Sequence, residues 1–500
     1  MKFEIAKNPV SKVSADVAIL FATQNKKGFE ISKIIADLPP LLQRQIEDQL
    51  ILEEFEGKKG EISFVFTGTA ILAPRVAVIG LGNKKEISQS DIREAAARLT
   101  KKLPKSINSI VTSFADVSID FETQAQMIIE GIELGSYSFG QYKKKEKQEK
   151  TLELVTFCGG EKASKIKIER GASLGHAYFL ATKMARDLVN EQSAVATPTL
   201  LAQVATEIAN QNEQISVTIF DKKELEEMGA HAFLGIARGA DTPPKFIVLE
   251  YAPKTIRSKK TVAIVGKGIT FDTGGINVKP DGYMTTMKMD MAGGAAVLGV
   301  FSALGIVKPS FRVLGIIAAT PNVISGKSIL PGDVVRAMNG KSIEINHTDA
   351  EGRVTLADSL SYAVKQHATE IVDLATLTGA CMVALGNEIA GAMGNDKALL
   401  QNLKIAGDTA GEKIWELPLP DEYKELNRSD VADLSNMPSS RYGGAIAAGL
   451  FLQEFVDTIP WVHLDIAGPA FAEKDNIFGQ KGGTGFGVRL LLQYLRTSKS

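Results

Sequence analysis

Cysteine and histidine are scarce in this 500-residue chain, which contains two cysteines and five histidines. Cys158 and Cys381 cannot build a disulfide framework, so we expect an intracellular protein in which both are small core residues. The histidines form no H-E-x-x-H motif and no pair at helical ligand spacing. Any metal site must therefore rely mostly on oxygen ligands, which hard or borderline divalent cations accept.

The chain also lacks an excess of charge of either sign, with a formal net charge of −1 at pH 7. Its overall charge therefore does not favour nucleic acid or an anionic membrane as a partner. We find no apolar run near the roughly 18 residues that a membrane span needs. Glu4 and Lys7 interrupt the region that is continuously apolar in a signal peptide. We therefore expect a cytoplasmic protein with no membrane partner.

The most informative stretch is 344–360, with the sequence E-I-N-H-T-D-A-E-G-R-V-T-L-A-D-S-L. Asp349, Glu351 and Arg353 occupy every second position, which places three side chains on one face of an extended backbone. Strand-like sequence at 341–346 precedes them and helical spacing follows, so we expect them at the end of a strand, where α/β folds place their ligands. Two carboxylates so close are costly unless a cation lies between them. The alternative is an exposed acidic turn with an Arg–Glu pair.

A second group of charged residues lies in 261–294. A short strand of the buried type, 261–265, is followed by a glycine-rich segment, which we interpret as a loop. Its charged residues are Lys267, Asp272, Lys279 and Asp290. Charged groups gathered among glycines suggest a ligand or cation that holds them, because glycine lets the backbone approach a bound group closely.

Several motifs together resemble those of the leucyl (cytosol) aminopeptidase family. They are K-G-I-T-F-D-T-G-G, K-P-x-x-x-M-x-x-M-K-x-D-M and T-D-A-E-G-R, followed by D-L-A-T-L-T-G-A-C (373–381), D-L-S-N-M (433–437), G-G-A-I-A-A-G-L-F-L (443–452) and H-L-D-I-A-G-P-A (463–470). The likeness extends over residues 191–500. Independent motifs in the right order make a chance match implausible.

The resemblance implies a metal-dependent aminopeptidase with two divalent cations per subunit, Mn²⁺ or Zn²⁺. Asp272 and Glu351 would bridge the cations, Lys267 and Asp290 would complete one site, and Asp349 the other. Lysine binds a metal only as the neutral amine, so the cation would have to depress its pKa strongly; a salt bridge from Lys267 to Asp272 is the alternative. The cations would activate a water for attack on the amide carbonyl. They would also hold the free N-terminus of the peptide substrate.

The resemblance also implies roles for Lys279 and Arg353. Lys279 would stabilise the oxyanion of the tetrahedral intermediate, and a surface lysine is the alternative. The motifs contain no spare carboxylate or histidine to act as a general base, and the resemblance implies that a bicarbonate bound by the Arg353 guanidinium shuttles the proton. The alternative is that Arg353 only pairs with Glu351. The pocket for a leucine-like N-terminal side chain would be lined by Met287, Thr376, Leu377 and Gly379.

The chain departs from the family pattern just before T-D-A-E-G-R. It has His347 where the family usually has asparagine. Histidine could replace the hydrogen bond of that asparagine, or it could change metal affinity through the groups that orient the ligands. The sequence leaves both possibilities open.

Segments with strand and helix patterns alternate along the chain, which predicts an α/β protein. For example, 370–375 and 461–466 have the pattern of short strands and 292–304 that of a helix. We predict an N-terminal α/β domain (1–160), a linking helix (161–190) and a larger catalytic domain (191–500). The catalytic domain should have a mixed, mainly parallel central sheet flanked by helices. The family resemblance implies a homohexamer with the catalytic domains at its centre.

The alternative function is an additional DNA-binding, architectural role on the same hexameric scaffold, as some members of the family have. The charged run K-K-K-E-K-Q-E-K at 143–150 would then have to contribute to a basic groove. A solvated loop is the simpler interpretation of that run. G-L-G-N at 80–83 resembles a phosphate-binding turn but lacks the remaining glycines.

Overall fold

The computed structural model describes residues 1–26, 28–144, 152–159, 162–255 and 258–498. The chain divides into two units. The first consists of Met1–Phe179 and Asp475–Gln480, and the second of Leu180–Lys474 and the segment that begins at Lys481. Of the charged run at 143–150, residues 145–150 lie outside the described residues.

The first unit contains a mixed sheet with helices. Its elements are β1 (Lys2–Ala6), β2 (Val17–Asn25), β3 (Gly28–Ile31), α1 (Pro40–Leu52), β4 (Ile62–Phe66), β5 (Arg75–Asn83), α2 (Gln89–Lys102), β6 (Ser109–Thr112), α3 (Phe121–Ser136) and β7 (Leu154–Cys158), with 3-10 helices at Val10–Lys12 and Lys33–Asp37. The strand order is β1-β7-β6-β2-β5-β4, and β3 pairs with β2. The central strand β2 is parallel to both β5 and β6. The division between the units falls within the next helix, α4 (Lys162–Asn190).

The G-L-G-N segment is the end of β5 and not a phosphate-binding turn. The Gly80 N–H donates to the Glu61 carbonyl and the Gly82 N–H to the Gly57 carbonyl, so neither is free to bind phosphate. A Cβ at Gly80 would lie 2.2 Å from the carbonyl oxygen of Lys58. Close backbone packing therefore explains this glycine.

The second unit contains the remaining elements. They are α5 (Pro198–Gln211), β8 (Ile215–Phe220), α6 (Lys222–Met228), α7 (His231–Ala237), β9 (Lys245–Tyr251), β10 (Thr261–Asp272), α8 (Ala292–Val307), β11 (Arg312–Asn322), β12 (Val334–Arg336), β13 (Ser342–Glu344), α9 (Glu351–Lys365), β14 (Glu370–Ala375), α10 (Gly379–Leu385), β15 (Ala390–Gly394), α11 (Lys397–Ala410), β16 (Ile414–Glu416), β17 (Leu434–Ser435), α12 (Gly444–Gln453), β18 (Trp461–Asp465), β19 (Phe471–Ala472), β20 (Gly482–Gly483) and α13 (Val488–Thr497), with 3-10 helices at Met287–Met291 and Asp421–Asn427.

An eight-stranded sheet in the order β16-β15-β18-β14-β10-β11-β9-β8 forms the centre of the second unit. β10 is parallel to β11 and β14, and β14 is parallel to β18. β9 is antiparallel to β8 and β11, and β15 is antiparallel to β18. This mixed, mainly parallel sheet with its helices confirms the predicted fold class. The carboxyl ends of four parallel neighbours, β11, β10, β14 and β18, meet at one edge, where open α/β sheets bind ligands.

Helices cover both faces of β10. Ala263 and Val265 pack in one apolar cluster with Leu356 of α9, whereas α8 contacts β10 from the side of Gly266. A Cβ at Gly266 would lie 2.4 Å from the carbonyl oxygen of Gly293, so glycine is needed for the helix to approach the strand this closely.

The segment Met287–Val307 is long and apolar enough by composition to cross a membrane, contrary to our expectation that no segment is. Within its most apolar window, 78% is buried inside the protein. A core helix is mostly buried in this way, so the apolar composition of the segment is explained by packing inside the protein. Lys288 and Asp290 interrupt the segment, so it contains no continuous apolar run of that length.

The predicted extended conformation of 349–353 is wrong. The strand predicted at 341–346 is present as β13, but α9 already begins at Glu351. Alternate residues of a helix point about 200° apart, so Glu351 and Arg353 do not share a face as they would on a strand. Asp349 precedes the helix.

A buried carboxylate connects α9 to two other segments. Asp358 is fully buried and accepts hydrogen bonds from the backbone N–H groups of Phe233 (2.8 Å) and Met338 (2.7 Å). Burial raises the pKa of Asp358 to about 7, although these N–H groups oppose the shift.

We predict that stability falls by up to about 1.4 kcal/mol per pH unit as pH rises from about 4 to about 7. The pKa of Asp358 in the folded chain lies above its usual value of 3.8, so in this window the folded chain holds a proton that the unfolded chain has released. Urea unfolding should be compared for the wild type and Asp358→Asn across this range. The difference between the two plots of unfolding free energy against pH isolates the contribution of Asp358 from that of other carboxylates. Parallel plots would contradict the prediction.

Candidate metal centre

The carboxyl edge of the large sheet supplies most of the candidate site. β10 ends at Asp272, β11 at Asn322 and β18 at Asp465, and Thr376 follows β14. Lys267 lies inside β10 and not in a loop, because the strand continues beyond the predicted 261–265 to Asp272, with an irregular register before its end. The strand therefore positions two of the predicted ligands by itself.

Two further segments bring carboxylates to this edge. Glu351 is the first residue of α9, where the positive end of the helix dipole favours a negative side chain. Asp290 lies in the 3-10 helix that leads into α8, and Asp349 lies in the loop before α9. Asp272, Asp290 and Glu351 are buried, and one oxygen of each lies within 4.8 Å of the others. The structure thus gathers carboxylates from three separate segments.

Lys267 lies between two of these carboxylates. Its Nζ is 2.8 Å from Asp290 Oδ2 and 2.8 Å from Glu351 Oε1, and it donates to the Thr376 carbonyl oxygen at 3.1 Å. Its ion pairs are thus with Asp290 and Glu351 and not with Asp272, the partner considered from sequence. Burial acts to lower the pKa of Lys267, but the charges of Asp290, Glu351 and Asp272 outweigh burial and raise it.

Lys279 lies between the other two carboxylates. Its Nζ is 2.7 Å from Asp272 Oδ2 and 2.6 Å from Asp349 Oδ1, and its side chain is 14% exposed. Burial acts to lower the pKa of Lys279, but the charges of Asp272 and Glu351 raise it overall. Lys279 is therefore a charged group inside the cluster and not a surface lysine.

The two lysines do not neutralise the cluster. Burial raises the pKa of Asp290 well above its usual value, with Glu351 and Asp272 adding to the shift. Burial and the charge of Asp272 raise the pKa of Glu351 and raise that of Asp349 to about 6. All three shifts persist although the ammonium groups oppose them, so further positive charge would be stabilised here.

The carboxylate oxygens left over fit a divalent cation. Within the described ranges, Glu351 Oε2, Asp290 Oδ2 and Asp349 Oδ1 are buried and make no hydrogen bond; the last two touch only the ammonium groups, outside hydrogen-bonding geometry. Several carboxylates and one amine form a donor set for a hard or borderline dication.

Arg353 is buried, with 7% of its side chain exposed. Its Nε and Nη1 atoms have no hydrogen-bonding partner among the residues that the structure describes. Burial lowers the pKa of Arg353 to about 10, against the charges of Glu351 and Asp465. The guanidinium is therefore still cationic at neutral pH and retains donors for a planar anion.

His347 takes part in the hydrogen bonding that orients the loop before α9. Its ring Nδ1 accepts from the backbone N–H of Asp349 at 3.3 Å, while the backbone N–H of His347 donates to Asn436 Oδ1 at 3.2 Å. Burial lowers the pKa of His347, with help from the charges of Lys279 and Arg353. A neutral ring leaves Nδ1 free to accept, so the hydrogen-bonding role is the one with structural support.

Sequence analysis missed Asn322. Its Nδ2 donates to Asp272 Oδ1 at 2.8 Å and to the Thr348 carbonyl at 3.0 Å. The Gly274 N–H also donates to Asp272 Oδ1, and the Thr348 hydroxyl donates to the Gly274 carbonyl. One oxygen of Asp272 is thus fixed by two donors, while Oδ2 contacts Lys279. Asn322 belongs to none of the quoted motifs, and its place at a strand end is the one signal that could have identified it.

Of the four predicted pocket residues, Thr376 contacts a carboxylate of the cluster directly. The Thr376 hydroxyl donates to Asp290 Oδ1 at 2.7 Å, and the Leu377 N–H donates to an oxygen of Asp465. Gly379 is exposed at the start of α10, with open space where a side chain would begin. Met287 is the first residue of the 3-10 helix that carries Asp290.

A substitution at Gly352 would test the position of the Lys267 amine. A Cβ at residue 352 would lie 2.7 Å from Lys267 Nζ and 2.6 Å from its Cε. We predict that Gly352→Ala displaces the end of this buried side chain, lowers the unfolding free energy by about 1 to 3 kcal/mol, and weakens Mn²⁺ binding by about tenfold or more. Calorimetric titration should be compared with Gly326→Ala, where a Cβ meets nothing within 4 Å. Tighter Mn²⁺ binding in Gly352→Ala would mean that Lys267 competes with the metal and is not a ligand.

Two family models match the chain. The catalytic domain of the cytosol aminopeptidase family matches residues 183–492, and the N-terminal domain of that family matches residues 21–146. The probable cytosol aminopeptidase of Alkaliphilus oremlandii (strain OhILAs) is 39% identical over 502 residues, which cover 99% of each chain. That of Aquifex aeolicus (strain VF5) is 43% identical over 452 residues, 89% of each chain.

Solved structures give the same result. A mutant of tomato leucine aminopeptidase is similar with a TM-score of 0.87 and 33% identity, over 100% of this chain and 97% of that one. The bottromycin maturation enzyme BotP in complex with Mn has a TM-score of 0.84 and 32% identity, over 97% and 99% of the two chains. These findings confirm the resemblance drawn from the motifs: the chain belongs to the cytosol aminopeptidase family and is a metal-dependent aminopeptidase.

Proposed function

We propose that this aminopeptidase uses two divalent cations and prefers a leucine-like residue at the peptide N-terminus. The observation that carries the proposal is the buried cluster of Asp272, Asp290 and Glu351, whose oxygens approach within 4.8 Å of one another. Such a cluster is costly without cations. Asp349 and Lys267 extend it, which gives enough donors for two sites.

Asp272 and Glu351 would be shared by the two cations. Lys267 and Asp290 would complete one site, and Asp349 the other. When bound, the cations would supply Lewis acidity toward water and the peptide carbonyl, and positive charge that neutralises the carboxylates. Manganese or zinc suits this donor set, and the similarity to the structure of BotP in complex with Mn supports manganese. Because Lys267 is protonated among its carboxylates, metal binding there would release a proton and weaken at low pH.

Lys279 would act on the carbonyl oxygen of the substrate. Its raised pKa keeps it cationic, and its Nζ lies beside Asp272 and Asp349, where the reacting carbonyl would bind. A cation fixed there before the reaction stabilises an oxyanion at little reorganisation cost. Lys279 therefore has the charge and the location that this role requires.

Arg353 would bind the anion that transfers the proton. Its free Nε and Nη1 donors support a planar, bidentate ligand, and bicarbonate is the ligand that the family resemblance implies. A bicarbonate held there could accept a proton from water and return it to the leaving amine.

The loop after β14 and the 3-10 helix would line the pocket for the N-terminal side chain. Leu377 and Met287 supply apolar surface, while the exposed Gly379 leaves space. Thr376 joins this wall to Asp290. The combination suits an unbranched or leucine-sized apolar group more than a charged one.

We further propose that the protein works in the cytoplasm as a homohexamer, as the family resemblance implies. Peptides with a free N-terminus would be its substrates. Neither the described residues nor the names of the relatives support DNA binding, so aminopeptidase activity is the one function proposed.

Leucine amide provides the direct test of the reaction. We predict that the protein hydrolyses leucine amide, that N-acetyl-leucine amide is not hydrolysed because it lacks the free amino group, and that aspartate amide is a poorer substrate. A chelator should abolish hydrolysis and added Mn²⁺ should restore it. Release of leucine, followed by chromatography, measures each arm. Cleavage of the acetylated compound, or full activity in chelator, would contradict the proposal.

Arg353 can be tested separately. We predict that Arg353→Ala lowers kcat by about 10² or more, since it removes the binding site of the proton carrier, while two cations remain bound. Wild-type kcat should also fall in bicarbonate-free buffer, and that of the variant should not respond. Arg353→Lys keeps the charge without the planar fork and should recover only part of the rate. Loss of both metals in Arg353→Ala would refute the assignment.

A further inference from the structure

Asp465 is a fully buried carboxylate at the carboxyl end of β18. Its Oδ1 accepts from the N–H groups of Leu377 and Ala467, each at 3.2 Å, and its Oδ2 accepts from the Thr378 hydroxyl at 2.7 Å. Burying a carboxylate is costly unless its oxygens are hydrogen-bonded. The partners of Asp465 belong mainly to one loop, 376–378, which suggests that holding this loop is its purpose.

The loop 376–378 is also anchored at both of its ends. The Ile466 N–H donates to the Ala375 carbonyl at 2.8 Å, which fixes the end of β14 against β18. Thr378 Oγ1, while it donates to Asp465, also accepts from the Cys381 N–H at 3.0 Å and caps α10. The Asp465 carboxylate thus holds the point at which the chain passes from the sheet into the helix.

The near end of the same loop touches two candidate metal ligands. The Thr376 hydroxyl donates to Asp290 Oδ1 at 2.7 Å, and the Thr376 carbonyl accepts from Lys267 Nζ at 3.1 Å. In the proposed arrangement, Asp290 and Lys267 bind the same single cation and are not shared with the other one. Asp272 is oriented instead by Asn322, so the two metal sites have different supports.

We propose that Asp465 is a positioning residue, which holds the loop 376–378 so that Thr376 orients Asp290 and Lys267. This inference rests on the proposed two-metal function. Asp465 acts through the loop, and its effect should therefore fall on the metal site of Asp290 and Lys267 and on the pocket wall at Leu377. The site completed by Asp349 should not depend on it.

The main test is Asp465→Asn in the full-length chain. Asparagine has nearly the same size but only one acceptor oxygen, so the Thr378 hydroxyl loses its present partner. After metal removal, calorimetric titration with Mn²⁺ should show one ion bound about 10- to 100-fold more weakly and the other unchanged, the range measured when a group that orients a ligand is removed. At saturating Mn²⁺, the kcat of the variant for leucine amide should return to the wild-type value. Its KM should stay above the wild-type value, because the pocket wall at Leu377 is still displaced.

Two further variants keep the test decisive if Asp465→Asn does not fold. Thr378→Val removes the hydroxyl and should weaken Mn²⁺ binding at the same site. Thr378→Ser keeps the hydroxyl and should bind Mn²⁺ there with the affinity of the wild type. Glu412→Gln is the matched control, because Glu412 is also buried and its Oε2 accepts from the N–H groups of Gly487 (3.0 Å) and Leu490 (2.9 Å). It should lower the unfolding free energy without changing either Mn²⁺ affinity.

The outcomes separate the inference from the function on which it rests. Unchanged Mn²⁺ affinities in Asp465→Asn, or equal weakening of both ions, would overturn the positioning role. Equal Mn²⁺ affinities in Thr378→Val and Thr378→Ser would also overturn the positioning role. A wild-type protein that binds no second ion would instead overturn the proposed two-metal function, and this inference with it.

Discussion

Repulsion among buried carboxylates is the constraint on which the site of the second unit depends. Asp272, Asp290 and Glu351, which are buried, converge with the half-buried Asp349 on one edge of a sheet, where water screens their charges poorly. Lys267 and Lys279 divide the four between them, yet the pKa values of three of the acids remain raised. The cluster therefore holds more negative charge than the chain itself compensates. A dication is the partner that this imbalance favours.

The sheet holds these charges together through its backbone and not through the charged groups themselves. Four parallel strands end side by side, and α8 approaches β10 closely because Gly266 and Gly293 have no side chains. Asn322 and Asp465, at the ends of two of these strands, fix Asp272 and the loop 376–378. Polar groups outside the set of candidate ligands thus determine how precisely the ligands are oriented, as in many metal sites.

Segments with a clear apolar pattern are predictable from sequence, whereas charged or glycine-rich segments are not. The strand at 370–375 is present with the predicted bounds, and the helix predicted at 292–304 is α8. The glycine-rich segment after residue 265 has the composition of a loop, yet its first part, as far as Asp272, continues as strand. Gly266 there admits a neighbouring helix. The alternation of Asp349, Glu351 and Arg353 predicts an extended backbone, whereas α9 begins at Glu351. Three charged residues are too few to distinguish a strand from the first turn of a helix.

The sequence by itself determined the family, the α/β class and the residue types of the site, because the motifs keep charged residues and glycines at fixed spacings. Only the tertiary structure decided which charges meet: Lys267 with Asp290 and Glu351, and Lys279 with Asp272 and Asp349. It also revealed Asn322 and Asp465, whose roles depend on strand order. Spacing along a chain specifies local geometry, whereas contacts between separate segments arise only when the sheet assembles and sets its strand ends side by side.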